Sequence, residues 1–135
     1  MKQISEAFGR RLKDTGVTRI QWIAMYYVYR HQIISQRELS ILMNVKDSSA
    51  GRLLDQLERN AMISRIQSKT DRRVTLIELT DNGRALFDKI LPYGDAFNNE
   101  LTNGIDQAEL IVFERVLDQM INNINETELE NHKLL

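Results

Sequence analysis

The 135-residue sequence contains no cysteine, which excludes disulfide staples, cysteine-ligated zinc and thiol redox sensing. Histidine is nearly as scarce. His31 and His132 lie far apart in the chain, so a histidine-based metal site would need carboxylates that no motif supplies. His31 reads as an ordinary residue at the end of a helix, and neither a metal nor another cofactor is expected. The sequence lacks a signal peptide and any run of about 18 apolar residues, so a soluble, cytoplasmic protein without a membrane partner is expected. Asn125-Glu126-Thr127 matches a glycosylation sequon but has no secretory context. No phosphate-cradling glycine loop, nucleophile–base pair or paired-carboxylate motif stands out, which argues against an enzyme.

What is present is enough apolar content, 42%, for the core of one domain. The net charge of −1 does not by itself suggest nucleic acid. Its distribution does: residues 1–34 carry +4, residues 35–75 carry +3 and residues 76–135 carry −8. A basic front and an acidic rear are expected when one end faces phosphates and the other does not.

The basic part contains the stretch that organises the chain, Ser35 to Thr80. Ser35 followed by Glu38 has the spacing of a capping box. Leu39, Leu42 and Met43 then share a helical face, and Asn44, which tolerates left-handed geometry, marks a turn before Val45. A second helix, from about Lys46 to Asn60, has Ala50, Leu53, Leu54, Leu57 and Ala61 in one arc, with Ser48, Arg52, Asp55 and Arg59 roughly opposite. A recognition helix needs that division, one face fixed to a small core and the other free to enter a major groove. Ser48, Ser49 and Arg52 fall in its first turns, where arginine reads guanine and short hydroxyls serve bases or phosphates. Gly51 is costly inside a helix, by about 1 kcal/mol relative to alanine. It fits either a close approach of DNA or simple tolerance.

Two β-favouring runs follow, Met62–Gln67 and Val74–Leu79, with Ile33-Ile34 available as a third, minor strand. Between the runs lies Ser68-Lys69-Thr70-Asp71-Arg72-Arg73, polar and cationic. A narrow hairpin tipped with arginine suits a phosphate backbone and a minor groove. Gln36, Arg37, Lys46 and Lys69 are candidate phosphate contacts by position and charge.

Four pieces in register resemble the MarR-type (multiple antibiotic resistance regulator) transcription factors. They are Leu53-Leu54-Asp55-Gln56-Leu57-Glu58, Met62-Ile63-Ser64-Arg65, Asp71-Arg72-Arg73 and Leu79-Thr80-Asp81-Asn82-Gly83. The resemblance extends from about Thr18 to Asn123. It implies Asp71, Arg72 and Arg73 at the wing tip, a homodimer and double-stranded, pseudo-palindromic operator DNA as partner. Ala61 stands where the family usually has glycine, so the second helix should end on Asn60 or without a left-handed glycine.

Outside this stretch, residues 1–15 read as a helix ended by Gly16, and Thr18 can cap the next, Arg19 to His31. That helix is apolar all round, which calls for cover beyond its own winged domain, from a second subunit or a ligand. Trp22, Met25, Tyr26 and Tyr29 suggest a pocket for a planar aromatic or phenolic effector, or else filling of a dimer core. Thr80 should cap a long helix towards Asn103, kinked or broken at Pro92 with a freed carbonyl near Asp88, and ended by Gly104. Asp106 and Glu109 then look like the start of another helix, with Leu110, Phe113, Leu117, Met120, Ile121 and Ile124 at helical spacing.

The expected fold class is mainly α with a small β-wing, a winged helix-turn-helix plus a helical dimerisation region. One domain spans residues 1–135, with dimerisation segments at 1–17 and 81–124, the winged helix-turn-helix at 18–80 and a tail at 125–135. The expected function is a homodimeric, sequence-specific repressor released by a small ligand. A ligand-independent repressor, an activator, or a winged module for protein–protein contact remain alternatives.

Overall fold

The computed structural model describes the backbone of residues 1–133 and the side chains of residues 1–127. The side chain of His132 and residues 134–135 of the expected tail lie outside the described residues. The observed class is the expected one, mainly helical with a small antiparallel sheet, and the chain divides into two compact units that meet between Asn98 and Asn99.

In the first unit, α1 (Lys2–Arg11) is followed by one 3₁₀ turn (Lys13–Thr15) that Gly16 closes at φ 76°. Helix α2 (Arg19–His31) starts on a full capping box. The Thr18 hydroxyl accepts from the Gln21 amide at 3.3 Å, and the Gln21 side chain accepts from the Thr18 amide at 3.0 Å. Trp22, Ala24, Met25 and Val28 are buried along α2. The requirement for a second subunit or ligand to cover this helix is therefore corrected. The chain's own flanking helices do it: Phe8 of α1 meets the Trp22 ring edge-on at 5.1 Å, and Phe87 of α5 (Asp81–Leu101) lies 5.6 Å from Trp22 and 5.3 Å from Tyr29.

Strand β1 (Ile34–Ser35) pairs with β3 (Thr75–Leu79), which pairs on its other side with β2 (Ile63–Gln67), all antiparallel. The registers Ile34↔Ile77 and Ile63↔Leu79 put four buried side chains on the sheet's inner face, in one core with Leu39, Leu54 and Leu57. Both wing strands start one residue later than expected, because Met62 and Val74 are used in turns. The Met62 amide donates to Leu57 O at 2.9 Å and the Val74 amide to Asp71 O at 3.0 Å.

Helix α3 (Gln36–Met43) starts where the Ser35 hydroxyl accepts from the Glu38 amide at 3.1 Å, the one half of the expected capping box that forms among the described residues. Its inner face is Leu39 and Ser40, with Met43 half-buried. Leu42, expected on that face, is 43% exposed, since the inward arc runs through Leu39, Met43 and Ser40 and leaves Leu42 at its edge. Asn44 ends α3 at φ 53°. Helix α4 (Asp47–Arg59) buries Ala50, Leu54 and Leu57.

The end of α4 and the start of α5 interlock. The Met62 amide reaches Leu57 O and the Ala61 amide reaches Glu58 O, a Schellman closure with Ala61 at φ 59° in the glycine position. Ala61 is thus exposed and left-handed; it does not extend the apolar arc of α4, which corrects that expectation. The Thr80 hydroxyl donates to Ala61 O and accepts from the Gly83 amide at 2.9 Å, capping α5 while tying it to α4's exit. A Cβ on Gly83 would stand 1.9 Å from Met62 O, so this approach is open to glycine alone.

Helix α5 is continuous across Pro92 from Asp81 to Leu101, without the expected break, and ends two residues short of Asn103. In the stretch before Pro92, Trp22 Nε1 donates to Ile90 O at 3.0 Å. Gly94 seats the indole, since a Cβ there would come within 2.5 Å of its ring.

The second unit contains the end of α5, a turn with Gly104 at φ 82°, and α6 (Gln107–Lys133). Helix α6 runs past Ile124, where the apolar repeat and the expected helix end. Phe113, Val116, Leu117, Met120 and Ile124 form an exposed apolar stripe along it. No helix among the described residues is long and apolar enough to cross a membrane.

Candidate nucleic-acid interface

Helix α4 is fixed by its buried face, and that leaves Ser48, Ser49 and Arg52 exposed on the other side. Lys46 is the N-cap residue of α4 but makes no side-chain cap bond, so its ammonium is not engaged in closing the helix. Ser49 and Arg52 border an open groove that also takes in Ile20, Gln56 and Arg59. Gly51 has only the Gln36 amide near its missing side chain, at 3.8 Å, so the protein's own packing would accept a Cβ there.

The starts of α3 and α4 and the base of the wing meet at a second groove. Gln36, Arg37, Asp47 and Arg73 line it. Asp47 does not stand out in the sequence. Its carboxylate accepts from the Ser40 hydroxyl at 2.8 Å and stands 3.8 Å from the Arg37 guanidinium. Both partners of that ion pair are largely exposed, so it contributes little to stability, but it restrains Arg37 on the groove's edge.

Local side-chain bonds shape the wing tip. The Ser68 hydroxyl accepts from the amides of Thr70 and Asp71, both at 3.3 Å, and the Ser68 amide donates to Val74 O at 2.9 Å. Lys69 and Arg72 are exposed at the tip. Asp71 accepts from Arg73 through Nε at 3.1 Å and Nη2 at 3.2 Å, and from the Arg73 backbone amide at 3.1 Å. The Arg73 side-chain bond first, and its backbone bond second, hold the Asp71 carboxyl below its ordinary pKa.

Arg65 of β2 links wing to recognition helix, another residue whose role is not evident from the sequence. Its guanidinium binds the Asp55 carboxylate through Nη2 and lies 3.9 Å from Glu58. The sequence signal is present, Asp55 and Glu58 one turn apart on α4 and Arg65 in a recognised motif, but nothing local joins them. Of the four aromatic-cluster residues, Trp22 and Met25 are buried, and Tyr26 and Tyr29 are half-buried. Tyr26 stacks on Trp22 at 5.3 Å, and Met25 borders a small cavity of 220 Å³ with Gln21, Leu57 and Leu86. Among the described residues no three His, Asp or Glu side chains converge as a metal would require.

An exposed helix carrying serine and arginine, a preceding helix tied to its start, and an arginine-tipped hairpin behind it define a winged helix-turn-helix. The comparisons agree. A family model described as the MarR family matches residues 17–75. The transcriptional regulator YdgJ of Bacillus subtilis (strain 168), described as an uncharacterized HTH-type regulator, is 32% identical over 114 residues, covering 84% of this chain and 70% of its own. The chain belongs to the MarR family of transcriptional regulators. Two solved structures share its fold. The S. aureus MepR–DNA complex has a TM-score of 0.82 at 22% identity, covering 90% of each chain. Bordetella bronchiseptica BpsR, whose DNA binding is described as regulated by 6-hydroxynicotinic acid, has a TM-score of 0.79 at 18% identity, covering 88% of this chain and 85% of that one.

Proposed function

We propose that the chain acts in the cytoplasm as a homodimeric repressor whose α4 enters the major groove while the Ser68–Arg73 hairpin follows the adjoining backbone into the minor groove. The observation that carries this reading is the Asp71–Arg73 pair, a guanidinium held in place on an exposed cationic hairpin beside an exposed, serine- and arginine-bearing helix. In this arrangement Ser48, Ser49 and Arg52 meet base edges, and Gln36, Arg37, Lys46, Lys69 and Arg72 meet phosphates. The room at Gly51 supports the close-approach reading, because the protein itself does not require a glycine there. The dimer's two-fold axis calls for a pseudo-palindrome with half-sites about one helical turn apart.

Release by a small aromatic or phenolic effector is part of the same proposal. Such a ligand would engage α2 through the half-buried Tyr26 and Tyr29, since Trp22 and Met25 are buried within the subunit. The test of the central claim is duplex binding as a function of salt. Affinity should fall by orders of magnitude between about 50 and 200 mM salt if several phosphates are neutralised. Flat affinity would favour a winged module for protein–protein contact.

A further inference from the structure

The basic charge of the first 34 residues has no part in the interface described so far. Three of its cations, Arg10 on α1, Lys13 in the 3₁₀ turn and Arg19 at the start of α2, line one open groove of 710 Å³. The one acid bordering that groove is Glu6, and its carboxylate is 3.7 Å from the ammonium of Lys2. Arg10, Lys13 and Arg19 themselves make no ion pair among the described residues. Arg10 and Lys13 are exposed and Arg19 is half-exposed.

The start of α2 connects this groove to the recognition helix through the residues that follow Arg19. Ile20, the residue after Arg19, borders the α4 groove together with Ser49, Arg52 and Arg59. The next residue, Gln21, donates from Nε2 to Gln56 of α4 at 3.4 Å. The acid in the α4 groove, Asp55, is held by Arg65. Net positive charge therefore runs from α1 to the start of α2, with the exposed Asp14 beside Lys13 as a further acid, and continues on the flank of α4 with Arg52 and Arg59. The capping box takes up the Thr18 and Gln21 amides at the start of α2, and the side-chain cations give this strip its charge.

We propose that Arg10, Lys13 and Arg19 form a phosphate shelf, which grips the sugar-phosphate backbone of the duplex whose major groove α4 occupies. The inference rests on the DNA-binding reading. Gln36, Arg37 and the wing approach the duplex from the starts of α3 and α4, and the shelf lies on the α2 side of the same helix. It touches phosphates only, so its contribution is the same for every sequence. Arginine and lysine on an otherwise acid-poor surface suit a repeating line of phosphates better than a single small anion.

The experiment uses the full chain and a fluorescein-labelled duplex of mixed sequence, with affinity measured across a range of salt concentrations. The variant Arg10→Gln, Lys13→Gln, Arg19→Gln should keep the parent's circular dichroism and melting midpoint, since none of the three side chains is buried. Its affinity should fall on the order of tenfold or more, and its plot of log K against log salt should become shallower by about 0.9 for each phosphate that is no longer neutralised. Arg19→Lys, which keeps the charge, should keep the parent's slope, while Arg19→Gln alone should give a partial loss. If the triple variant matches the parent in slope and affinity while the parent binds steeply, the shelf is wrong and the DNA reading stands. A fall in affinity with an unchanged slope would mean a loss that is not electrostatic, and would also overturn the shelf. A parent without salt-dependent binding would overturn both.

Discussion

Asp71 holds Arg73 at both ends: its carboxylate accepts from the Arg73 side chain through Nε and Nη2 and from the Arg73 backbone amide. Two residues apart on a turn entering β3, they form a closed unit that holds a long cationic side chain in one orientation. Ordering such a chain only on binding is costly, and preorganisation removes part of that cost. Asp71→Ala should therefore weaken DNA binding by roughly three- to tenfold, although it removes a negative charge from the loop proposed to meet DNA. In an Arg73→Ala background the same change should have little effect. Tighter binding by Asp71→Ala in the parent would show the aspartate to be a solvated charge only.

The same pair fixes the pH behaviour of the wing. The folded carboxyl is held below its unfolded value, so its contribution is fully present above that unfolded value and is lost as pH falls through the lowered one. Between about pH 5 and 8, above the ordinary carboxylate range, Asp71 stays ionised and the wing's part in DNA affinity should not change.

Arg52 projects from the exposed face of α4, three residues beyond Ser49 on the same groove. One bidentate contact to a guanine is worth about 1–3 kcal/mol of discrimination. Arg52→Ala should flatten the preference in a selection from randomised duplexes while lowering non-specific affinity much less. Uniform weakening across all sequences would reassign it to phosphate.

Where the determinants are local, they are legible in the sequence. Thr18, Ser35 and Asn44 cap or close helices through bonds within a few residues, and the alternation of β3 fixes which side chains face the core. Partners supplied by distant chain are not. Trp22 reads as a pocket or dimer residue until Ile90, Phe8 and Gly94 are seen to enclose it, and its bond to Ile90 spans 68 residues. Arg65 is ten residues from Asp55 but on a different element, and only the packing of β2 against α4 joins them. Gly83 shows the intermediate case. Its place in a motif is visible, yet the reason for it, the carbonyl of Met62, comes from another turn.

Ala61 is legible as a departure and not as a conformation. A left-handed alanine is strained by roughly 1–2 kcal/mol where glycine is not, while glycine loses about 0.4–1 kcal/mol more through the unfolded chain. Since the Schellman bonds to Leu57 and Glu58 hold φ at 59°, the strain persists in the folded state. Ala61→Gly should raise stability by about 0.5–1 kcal/mol in a denaturant titration, with the slope unchanged. A loss of stability would mean that the α4 exit relaxes when its strain is removed.

The exposed stripe on α6 leads to the dimer. Phe113 and Met120 lie two turns apart on one face, 62% and 57% exposed, with Val116, Leu117 and Ile124 between and beside them. A continuous apolar stripe of that length is unfavourable in water, and a second copy offers the complementary surface by symmetry. Sedimentation at low micromolar concentration should accordingly give about twice the 15.8 kDa chain mass. Replacing Phe113 and Met120 by glutamate puts four carboxylates into a two-fold interface, because each substitution occurs twice. Burying an unpaired carboxylate costs several kcal/mol, so dimer affinity should fall by at least about a hundredfold. The first unit should keep its fold, and the intrinsic fluorescence of Trp22, enclosed by Phe8 and tied to Ile90 within that unit, reports it directly. DNA affinity should fall with the dimer, since each half-site would then be held alone and the second binding event would no longer be intramolecular. A monomeric parent, or a double variant that remains dimeric, would place the subunit contact elsewhere.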